Sequence, residues 1–583
     1  MIKKNAKNIL FSAIAYIIVL IVCMAMFLPR NVGGTFDATG SPSATYEASD
    51  VSQEIRCKLE QDGTYIILSP DPQLMFAVED IKTECIKLTV VSQNEQNVPF
   101  EIYTALNDGK FSEERCYKGN IFKGNQSAVV DIPKGEYSYL RVDIDQINVK
   151  FESVELFTSE PTLVPYKPKF PVGHYVVTAI LPLIMAVFAW LLNKRLKIVE
   201  KVITSLSKNK YKILTVSIFT VVALLVAVLI ELIFGLIYTQ QFNVYRWIVF
   251  AGVSELVVTF VFGYKCLKEN PEKVFLPIVL ILGMVMLFSL PIQHICWDLD
   301  SHYPWAVQAS YPGTTYVTNS YNAIDFAYPQ TTISSDDNYV EDLKYLSQAD
   351  KEFLSEKESE LSIAHLPAGI FIAVTRWFGG GFVAKYNLGR LAYLLIYSFV
   401  CYFAIKKIKS GKMILSIICL FPTNLFLATN YAYDWCVTAF TILGTAYFVS
   451  ELQEPDKPIT IKDTIIMGLA FAVGALPKLV YIILMGMTLF VRKNWTSKKD
   501  KQRYYLVLGI MFAVVFAMFL LRSTSSLSGS GDTRGGAVNP AEQVSGILGN
   551  PLNYAKVLFN FLLRYLSIPN MKEYISNFAY LGA

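Results

Sequence analysis

Residues 213–237 read ILTVSIFTVVALLVAVLIELIFGLI, a continuous apolar run in which Glu231 is the only charged side chain. A helix of about 20 such residues crosses the ~30 Å hydrocarbon core of a lipid bilayer. Lys208, Lys210 and Lys212 lie immediately before the run, and basic residues collect at the cytoplasmic ends of membrane helices. The stretch therefore predicts a membrane-spanning helix and makes the bilayer the solvent in which the fold forms.

The composition of the whole chain points the same way. Hydrophobic residues make up 53% and charged residues 17%, proportions that a soluble protein reaches only with a very large core. The basic residues are spread over short loops, so we expect no binding of nucleic acid. The cysteines form no C-x-x-C pair and no zinc-type spacing, and we expect ordinary buried thiols with at most one bridge among Cys57, Cys85 and Cys116.

Eleven apolar runs are long enough, or nearly long enough, to cross the membrane. They are residues 9–28, 172–192, 213–237, 247–264, 274–292, 386–405, 413–429, 434–451, 463–476, 478–491 and 504–521. The first run follows three lysines and precedes no small-x-small cleavage site, so we expect an uncleaved anchor with a cytoplasmic N-terminus. With that orientation every strongly basic short loop lies on the cytoplasmic side, as the positive-inside rule requires.

Two stretches are assigned by that rule. Residues 363–378 are apolar but short, and counting them as a crossing would place the basic loop at 406–412 outside. We therefore predict a re-entrant or surface-lying helix there. Pro477 lies in the middle of 464–491 and removes a backbone donor, so we predict two short helices in place of a single long one.

The resulting fold class is mainly α, a polytopic helical bundle with an N-terminal extracytoplasmic β-sandwich domain. Short runs of β-forming residues at 64–68, 85–91, 100–104 and 140–144, bounded by turn-forming residues, predict its strands. The predicted divisions are an anchor at 1–29, the β domain at 30–171, four membrane helices at 172–292, an acidic outer loop with the re-entrant helix at 293–385, a second bundle at 386–521 and an outer segment at 522–583.

The densest group of titratable and aromatic residues follows the fifth crossing. Residues 294–305 read HICWDLDSHYPW and bring together Trp297, Asp298, Asp300, His302 and Trp305. A carboxylate at a membrane mouth can act as a general base or hold a divalent cation against phosphate, and indoles can stack on a sugar ring. The alternative is a helix end capped by aspartate among interfacial aromatics.

Further candidates lie at the predicted outer ends of other helices. His365 begins the short helix, Arg390 lies near the start of the sixth crossing, Asp434 lies in the turn after the seventh, and Lys478 lies at the break after Pro477. A guanidinium binds phosphate through two parallel N–H groups, which favours a phosphate-binding role for Arg390. The alternative is a side chain that snorkels to the lipid headgroups.

Taken in order, short motifs of the second half resemble a bacterial family of predicted membrane proteins that is known only as a domain of unknown function and is grouped with the GT-C glycosyltransferases. The motifs are Asp298 with His302, His-Leu-Pro at 365–367, Gly-Arg-Leu at 389–391, Leu-Phe-Pro at 420–422 leading to Tyr433 and Asp434, and Pro-Lys-Leu-Val-Tyr at 477–481. They cover roughly residues 285–583. The family's first motif usually reads Asp-Glu-x-x-His, whereas here Leu299 stands in the Glu position and Asp300 follows.

The resemblance implies an enzyme that transfers a sugar from a polyprenyl-phosphate-linked donor to a glycan acceptor at the outer face of a bacterial cell membrane. It implies Asp298 as the base or metal-holding residue, with Asp300 beside it, Arg390 and Lys478 as ligands of the carrier phosphate, and Asp434 as a further acid of the site. A divalent cation is a candidate cofactor. Because the family normally continues into more helices, the resemblance also leads us to expect that the sequence is a fragment.

Two other classes of function remain open. A transporter or flippase of lipid-linked glycans would also be polytopic and would have a use for Glu231 and Glu255, which lie in apolar runs on adjacent helices. We expect each of these carboxyls to be protonated or paired with a neighbour instead. A non-enzymatic glycan-binding membrane protein is the third class, although eleven crossings exceed what anchoring requires.

The alternation of basic loops predicts which engineered thiols are accessible from outside the cell. In a cysteine-free protein, single cysteines at Ser207, Ser410 and Ser497 should resist an impermeant thiol reagent in intact cells, while one at Ser335 should react. Labelling at Ser410 would overturn the assignment of 363–378 and the GT-C resemblance with it.

Overall fold

A computed structural model describes residues 2–29, 34–94, 98–106, 109–111, 115–121, 125–144, 146–165, 170–289, 296–297, 299–312, 315–318, 352–355, 363–495, 497–527, 540–565 and 576–577. Over these residues the chain has two parts. A β domain follows the first helix, and a helical bundle contains most of the remaining described residues.

All four stretches that the sequence predicts as strands are strands, and most of the strands that contain them are longer than predicted. The strands of the β domain are β1 (Gly34–Asp37), β2 (Ala44–Tyr46), β3 (Val51–Ile55), β4 (Cys57–Leu59), β5 (Thr64–Ile67), β6 (Gln73–Ser92), β7 (Val98–Ala105), β8 (Cys116–Ile121), β9 (Ser127–Ile144), β10 (Val149–Phe157) and β11 (Thr162–Pro165).

The predicted β-sandwich is not confirmed. Nine strands form one sheet in the order β4-β5-β10-β6-β9-β7-β8, with β2 beside β10 and β3 beside β6, and the sheet is nearly closed and barrel-like. The long pair β6 and β9 is antiparallel and shifts register between Ala77 and Ile81 and again between Thr83 and Cys85. Such irregularities bend strands and increase twist, which lets one sheet curl around the core that Phe76 and Phe151 help to fill.

The helices account for most of the described chain. They are α1 (Ile2–Phe27), α2 (Val172–Leu196), α3 (Ile198–Lys208), α4 (Lys210–Tyr238), α5 (Val244–Gly263), α6 (Glu272–Ser289), α7 (Leu299–Ala309), α8 (Leu366–Trp377), α9 (Phe382–Lys407), α10 (Lys412–Cys419), α11 (Pro422–Ala428), α12 (Asp434–Gln453), α13 (Ile461–Ala475), α14 (Lys498–Leu527), α15 (Pro540–Gly549) and α16 (Pro551–Tyr565). Three 3-10 helices span Ala48–Asp50, Tyr264–Cys266 and Leu479–Phe490, and a strand pair joins β12 (Thr315–Thr318) to β13 (Glu352–Ser355).

Among the described residues, eight helices are long and apolar enough to cross a membrane: α1, α2, α4, α5, α6, α9, α12 and α14. They match eight of the eleven predicted crossings. The three other predicted crossings consist of shorter pieces, namely α10 with α11, α13, and the 3-10 helix Leu479–Phe490. The break predicted at Pro477 is confirmed, because α13 ends at Ala475 and the 3-10 helix begins at Leu479. Sidedness and the total number of crossings stay predictions.

The predicted short helix is α8, whose 12 residues span only about 18 Å. It packs against α1, α7 and α9. On α1, Ala25 and Met26 contact Ala373 of α8. The first helix is therefore a packed member of the bundle as well as an anchor.

The two intramembrane carboxyls have different surroundings. The Glu231 carboxylate accepts hydrogen bonds from Arg246 Nε at 2.8 Å and Arg246 Nη2 at 2.6 Å, and from the backbone N–H of Asn243 at 2.8 Å. The predicted pairing of Glu231 is thus confirmed. Glu255 accepts a single hydrogen bond at 3.2 Å from the Thr220 hydroxyl on the neighbouring helix.

The nine cysteines are all free thiols, and eight of them are buried. Cys57, Cys85 and Cys116 of the β domain are among the buried ones and form no disulfide. The expectation of ordinary buried thiols is confirmed.

Candidate functional site

Two of the predicted site residues, His302 and His365, meet at the junction of α7 and α8. Their Nδ1 and Nε2 atoms lie 3.2 Å apart, and both side chains are buried. The helices can approach because α8 carries Gly369, where a Cβ atom would lie 2.7 Å from the Ala309 carbonyl carbon of α7. A side chain at this glycine would force the two histidines apart.

The hydrogen-bond chain continues to Tyr393 of α9, whose hydroxyl lies 3.0 Å from His365 Nδ1. Burial, with a smaller effect from His302, lowers the pKa of His365 to about 3. His365 is therefore neutral at pH 7 and has one N–H. Tyr393 has no other acceptor among the described residues, and a buried hydroxyl without an acceptor is costly.

From these facts we infer the direction of the hydrogen-bond chain. Tyr393 donates to His365 Nδ1, so the proton of His365 is on Nε2 and is donated to His302 Nδ1. In its neutral form His302 then has its own proton on Nε2. The side chain of His302 is thereby set up as a hydrogen-bond donor toward the rest of the site.

Aromatic rings surround this chain. The centroid of the His302 ring lies 5.1 Å from that of Trp305 and 5.0 Å from that of Tyr433. Tyr393 stacks on Trp435 at 5.1 Å, with an angle of 23° between the ring planes. The edge-to-face contacts with Trp305 and Tyr433 restrict the orientation of the His302 imidazole.

Lys478 and Asp434 lie at the exposed end of the site. Lys478 Nζ is 5.9 Å from the centre of the Tyr433 ring. The Lys478 side chain is exposed, and its positive charge lies beside the Tyr433 ring and near Asp434.

Arg390 lies at the buried end, with only 1% of its surface exposed. Its Nη2 donates to the Leu287 carbonyl at 2.7 Å and to Asn387 Oδ1 at 2.5 Å, and its guanidinium lies 4.8 Å from the centre of the Tyr386 ring. Nε and Nη1 have no hydrogen-bond partner among the described residues. A snorkelling side chain would reach solvent, whereas this one is enclosed by protein.

A continuous set of contacts joins Arg390 to the histidines. Tyr431 lies 5.0 Å from Tyr386 and 5.8 Å from Tyr393, measured between ring centroids, and its hydroxyl donates to the Tyr386 carbonyl at 2.9 Å. Gly389 makes room for it, because a Cβ there would lie 2.2 Å from the Tyr431 hydroxyl. The glycine beside Arg390 in the Gly-Arg-Leu motif thus has a packing role.

The structure describes less of the remaining predicted residues, Asp298, Asp300 and Trp297. Asp298 lies outside the described residues. The backbone of Asp300 forms the second residue of α7, but its side chain also lies outside what is described. Trp297 is 55% exposed. Among the described residues no group of three or more His, Cys, Asp or Glu side chains could hold a metal ion, so the predicted cation would depend on Asp298 and Asp300.

Sequence reasoning missed the tyrosines that link the two ends of the site. A signal was present, because Tyr386, Arg390, Tyr393 and Tyr397 follow one another at intervals of four, three and four residues. This spacing places them on one face of a helix. A polar stripe on an otherwise apolar membrane helix is a reason to suspect an internal site.

We expect Tyr393→Phe to abolish the single tautomer of His365, because the variant loses the donor to Nδ1. The measurement is the ¹⁵N chemical shift of the imidazoles, which distinguishes protonated from unprotonated nitrogen, and four histidines make the spectrum assignable. Tyr397→Phe is the matched control. Tyr397 lies one helical turn after Tyr393 on α9, and its hydroxyl donates to the Cys419 carbonyl. If His302 of the unmodified protein carries its proton on Nδ1, the proposed direction of the hydrogen-bond chain is wrong.

Residues 280–582 match the model of a family described as a predicted membrane protein, DUF2142. The match includes all the predicted site residues, from Trp297 to Lys478. A comparison with curated proteins finds no match. Because the matched segment makes up more than half of the 583 residues, the chain belongs to the DUF2142 family of predicted membrane proteins.

Proposed function

We propose that this protein is a membrane glycosyltransferase that uses a polyprenyl-phosphate-linked sugar donor at the outer face of the membrane, in cell-surface glycan assembly. The observation that carries the proposal is the buried guanidinium of Arg390, whose Nε and Nη1 have no acceptor among the described residues. The experiment that tests it is consumption of lipid-linked sugar by the purified protein and its Arg390 variant.

Arg390 has the properties expected of a site for a phosphate group. Burying a charge without a counter-ion is costly, and its described partners are a carbonyl, an amide and an aromatic ring, none of which carries a negative charge. A phosphate oxygen pair matches the planar fork of a guanidinium. Binding of an anionic donor would therefore supply the missing acceptors.

A groove beside Arg390 suits the apolar chain of such a donor. It has a volume of about 400 Å³ and is lined by Phe288, Gly381, Val383, Ala384, Asn387 and Leu388. Asn387 is the polar side chain in this lining, and it accepts a hydrogen bond from Arg390. An isoprenoid in the groove would bring its phosphate toward the guanidinium.

The exposed end of the site suits the sugar and the acceptor. In this proposal Asp298, or Asp300 next to it, removes a proton from the acceptor hydroxyl while a new glycosidic bond forms. The bond between the sugar and the carrier phosphate breaks, and its electron pair stays with the phosphate. Arg390 would stabilise the negative charge of the leaving phosphate at the buried end. Lys478, beside Asp434, and the His302 Nε2–H would bind oxygen atoms of the sugar at the exposed end.

The other two functions receive less support. The pairing of Glu231 with Arg246 accounts for that carboxylate without a role in proton-coupled transport. A purely glycan-binding protein would have no need of the polar chain that runs from Arg390 to Lys478 inside the bundle.

We expect Arg390→Lys to weaken donor binding by at least about tenfold, because lysine keeps the charge but loses the fork. The measurement is the KM for lipid-linked sugar, with direct donor binding as a second readout. Arg376→Lys is the matched control: Arg376 is also buried, donates to the Ser310 hydroxyl at 2.9 Å and lies 3.7 Å from the Tyr311 ring centre. If both variants lose donor affinity equally, the loss reflects the replacement of a buried arginine and not the loss of a phosphate ligand.

Asp298→Asn should lower the rate of transfer by at least ~10²-fold, the usual scale of lost acid–base catalysis, while expression and membrane insertion stay normal. Asparagine keeps the shape of the side chain and can still cap a helix, so the substitution separates chemistry from structure. Asp300→Asn is the comparison. Leu299 occupies the position where the family usually has Glu, so the neighbouring Asp300 is the other carboxylate that could act as the base. Parental turnover in both single variants and in the double variant would remove the catalytic role of this acidic pair.

A further inference from the structure

We propose that α16 lies in the plane of the membrane at the bilayer–water interface, where its wide apolar face is buried in lipid. The inference does not depend on the glycosyltransferase proposal. It starts from the sequence PLNYAKVLFNFLLRY at 551–565, in which Asn550 caps the helix by accepting the N–H of Asn553 at 3.1 Å and Pro551 occupies its first turn.

The polar residues of α16 form one narrow stripe. Asn553, Lys556, Asn560 and Arg564 are separated by three, four and four residues, which places them within an arc of about 80° at 100° per residue. The other positions carry proline, alanine, Leu, Val, Phe or Tyr. Such a helix has one narrow face for water or headgroups and a broad face for hydrocarbon.

The broad face is uncovered by the described protein. Every side chain from 551 to 564 is exposed, and Leu552 reaches 84% and Phe559 60%. Contiguous apolar surface of this kind marks a contact with a partner or with a membrane. Because eight described helices are long and apolar enough to cross a bilayer, lipid is the apolar partner that this face would meet.

The length of α16 excludes a crossing by itself. Its 15 residues span about 22 Å, less than the ~30 Å of hydrocarbon, and it is not among the helices apolar enough to span. Beyond it, the backbone N–H of Asn577 donates to the Thr423 hydroxyl of α11 at 2.7 Å, which brings the chain back to the bundle. Lys556 in the polar stripe has the charge that complements anionic lipid headgroups.

The test is the depth of single labels in the full-length protein. With Cys266→Ser as background, cysteines replace Ala555 and Leu562 at the centre of the apolar face and Asn553 and Asn560 on the polar stripe. Each carries a bimane probe in phosphatidylcholine and phosphatidylglycerol vesicles that contain nitroxide lipids labelled near the headgroup or deep in the chain. Leu229→Cys on α4, 58% exposed, and Lys58→Cys on β4 serve as lipid-facing and aqueous controls.

We expect quenching by the shallow nitroxide to be at least about twofold stronger at 555 and 562 than at 553 and 560, with similar depth at 555 and 562. A crossing helix would instead give depths ordered along the chain, about 10 Å apart between 555 and 562, and would overturn the inference. Quenching no stronger than at Lys58→Cys in every variant would also overturn it, since the helix would then face water or protein. Each variant is first checked for monodisperse elution.

Discussion

The packing of α8 inside the bundle is the constraint on which the site depends. At 12 residues the helix is too short to cross the membrane, so its ends must lie within protein or at the mouth of the bundle. Gly369 brings its backbone against α7, Ala373 contacts α1, and His365 at its start bonds to α9. Through α8, the separate helices α1, α7 and α9 are held in one cluster, which contains the hydrogen bonds between His302, His365 and Tyr393.

Buried charge is handled in three ways in this protein. Glu231 and Arg246 neutralise each other within a helical hairpin. Arg376 donates to the Ser310 hydroxyl and lies over the face of the Tyr311 ring. Arg390 is the least satisfied of the three, because only one of its nitrogens donates to described residues. An unsatisfied buried charge destabilises a fold, and this is why we propose a ligand that supplies the missing acceptors.

The β domain shows where local patterns stop being informative. Short runs of β-forming residues bounded by turn-forming residues located the strands at 64–68, 85–91, 100–104 and 140–144, because both signals are local. Whether the strands split into two layers or curl into one sheet depends on the register shifts in β6 and β9. Those shifts result from pairing between distant segments, which a run of residues does not reveal.

The sequence by itself determined that the chain belongs in a membrane, where most of its long helices lie, and that residues 363–378 and the segment around Pro477 depart from simple spans. These conclusions follow from hydrophobic length and backbone chemistry, which are local. Membership of the family and the candidate residues His302, His365, Arg390, Asp434 and Lys478 were also within its reach. Only the tertiary structure decided that His302 and His365 touch, that Tyr393 orients them, and that Arg390 is buried with few acceptors among the residues that the structure describes. Those features arise where helices cross, and the geometry of a crossing depends on side chains from several helices at once.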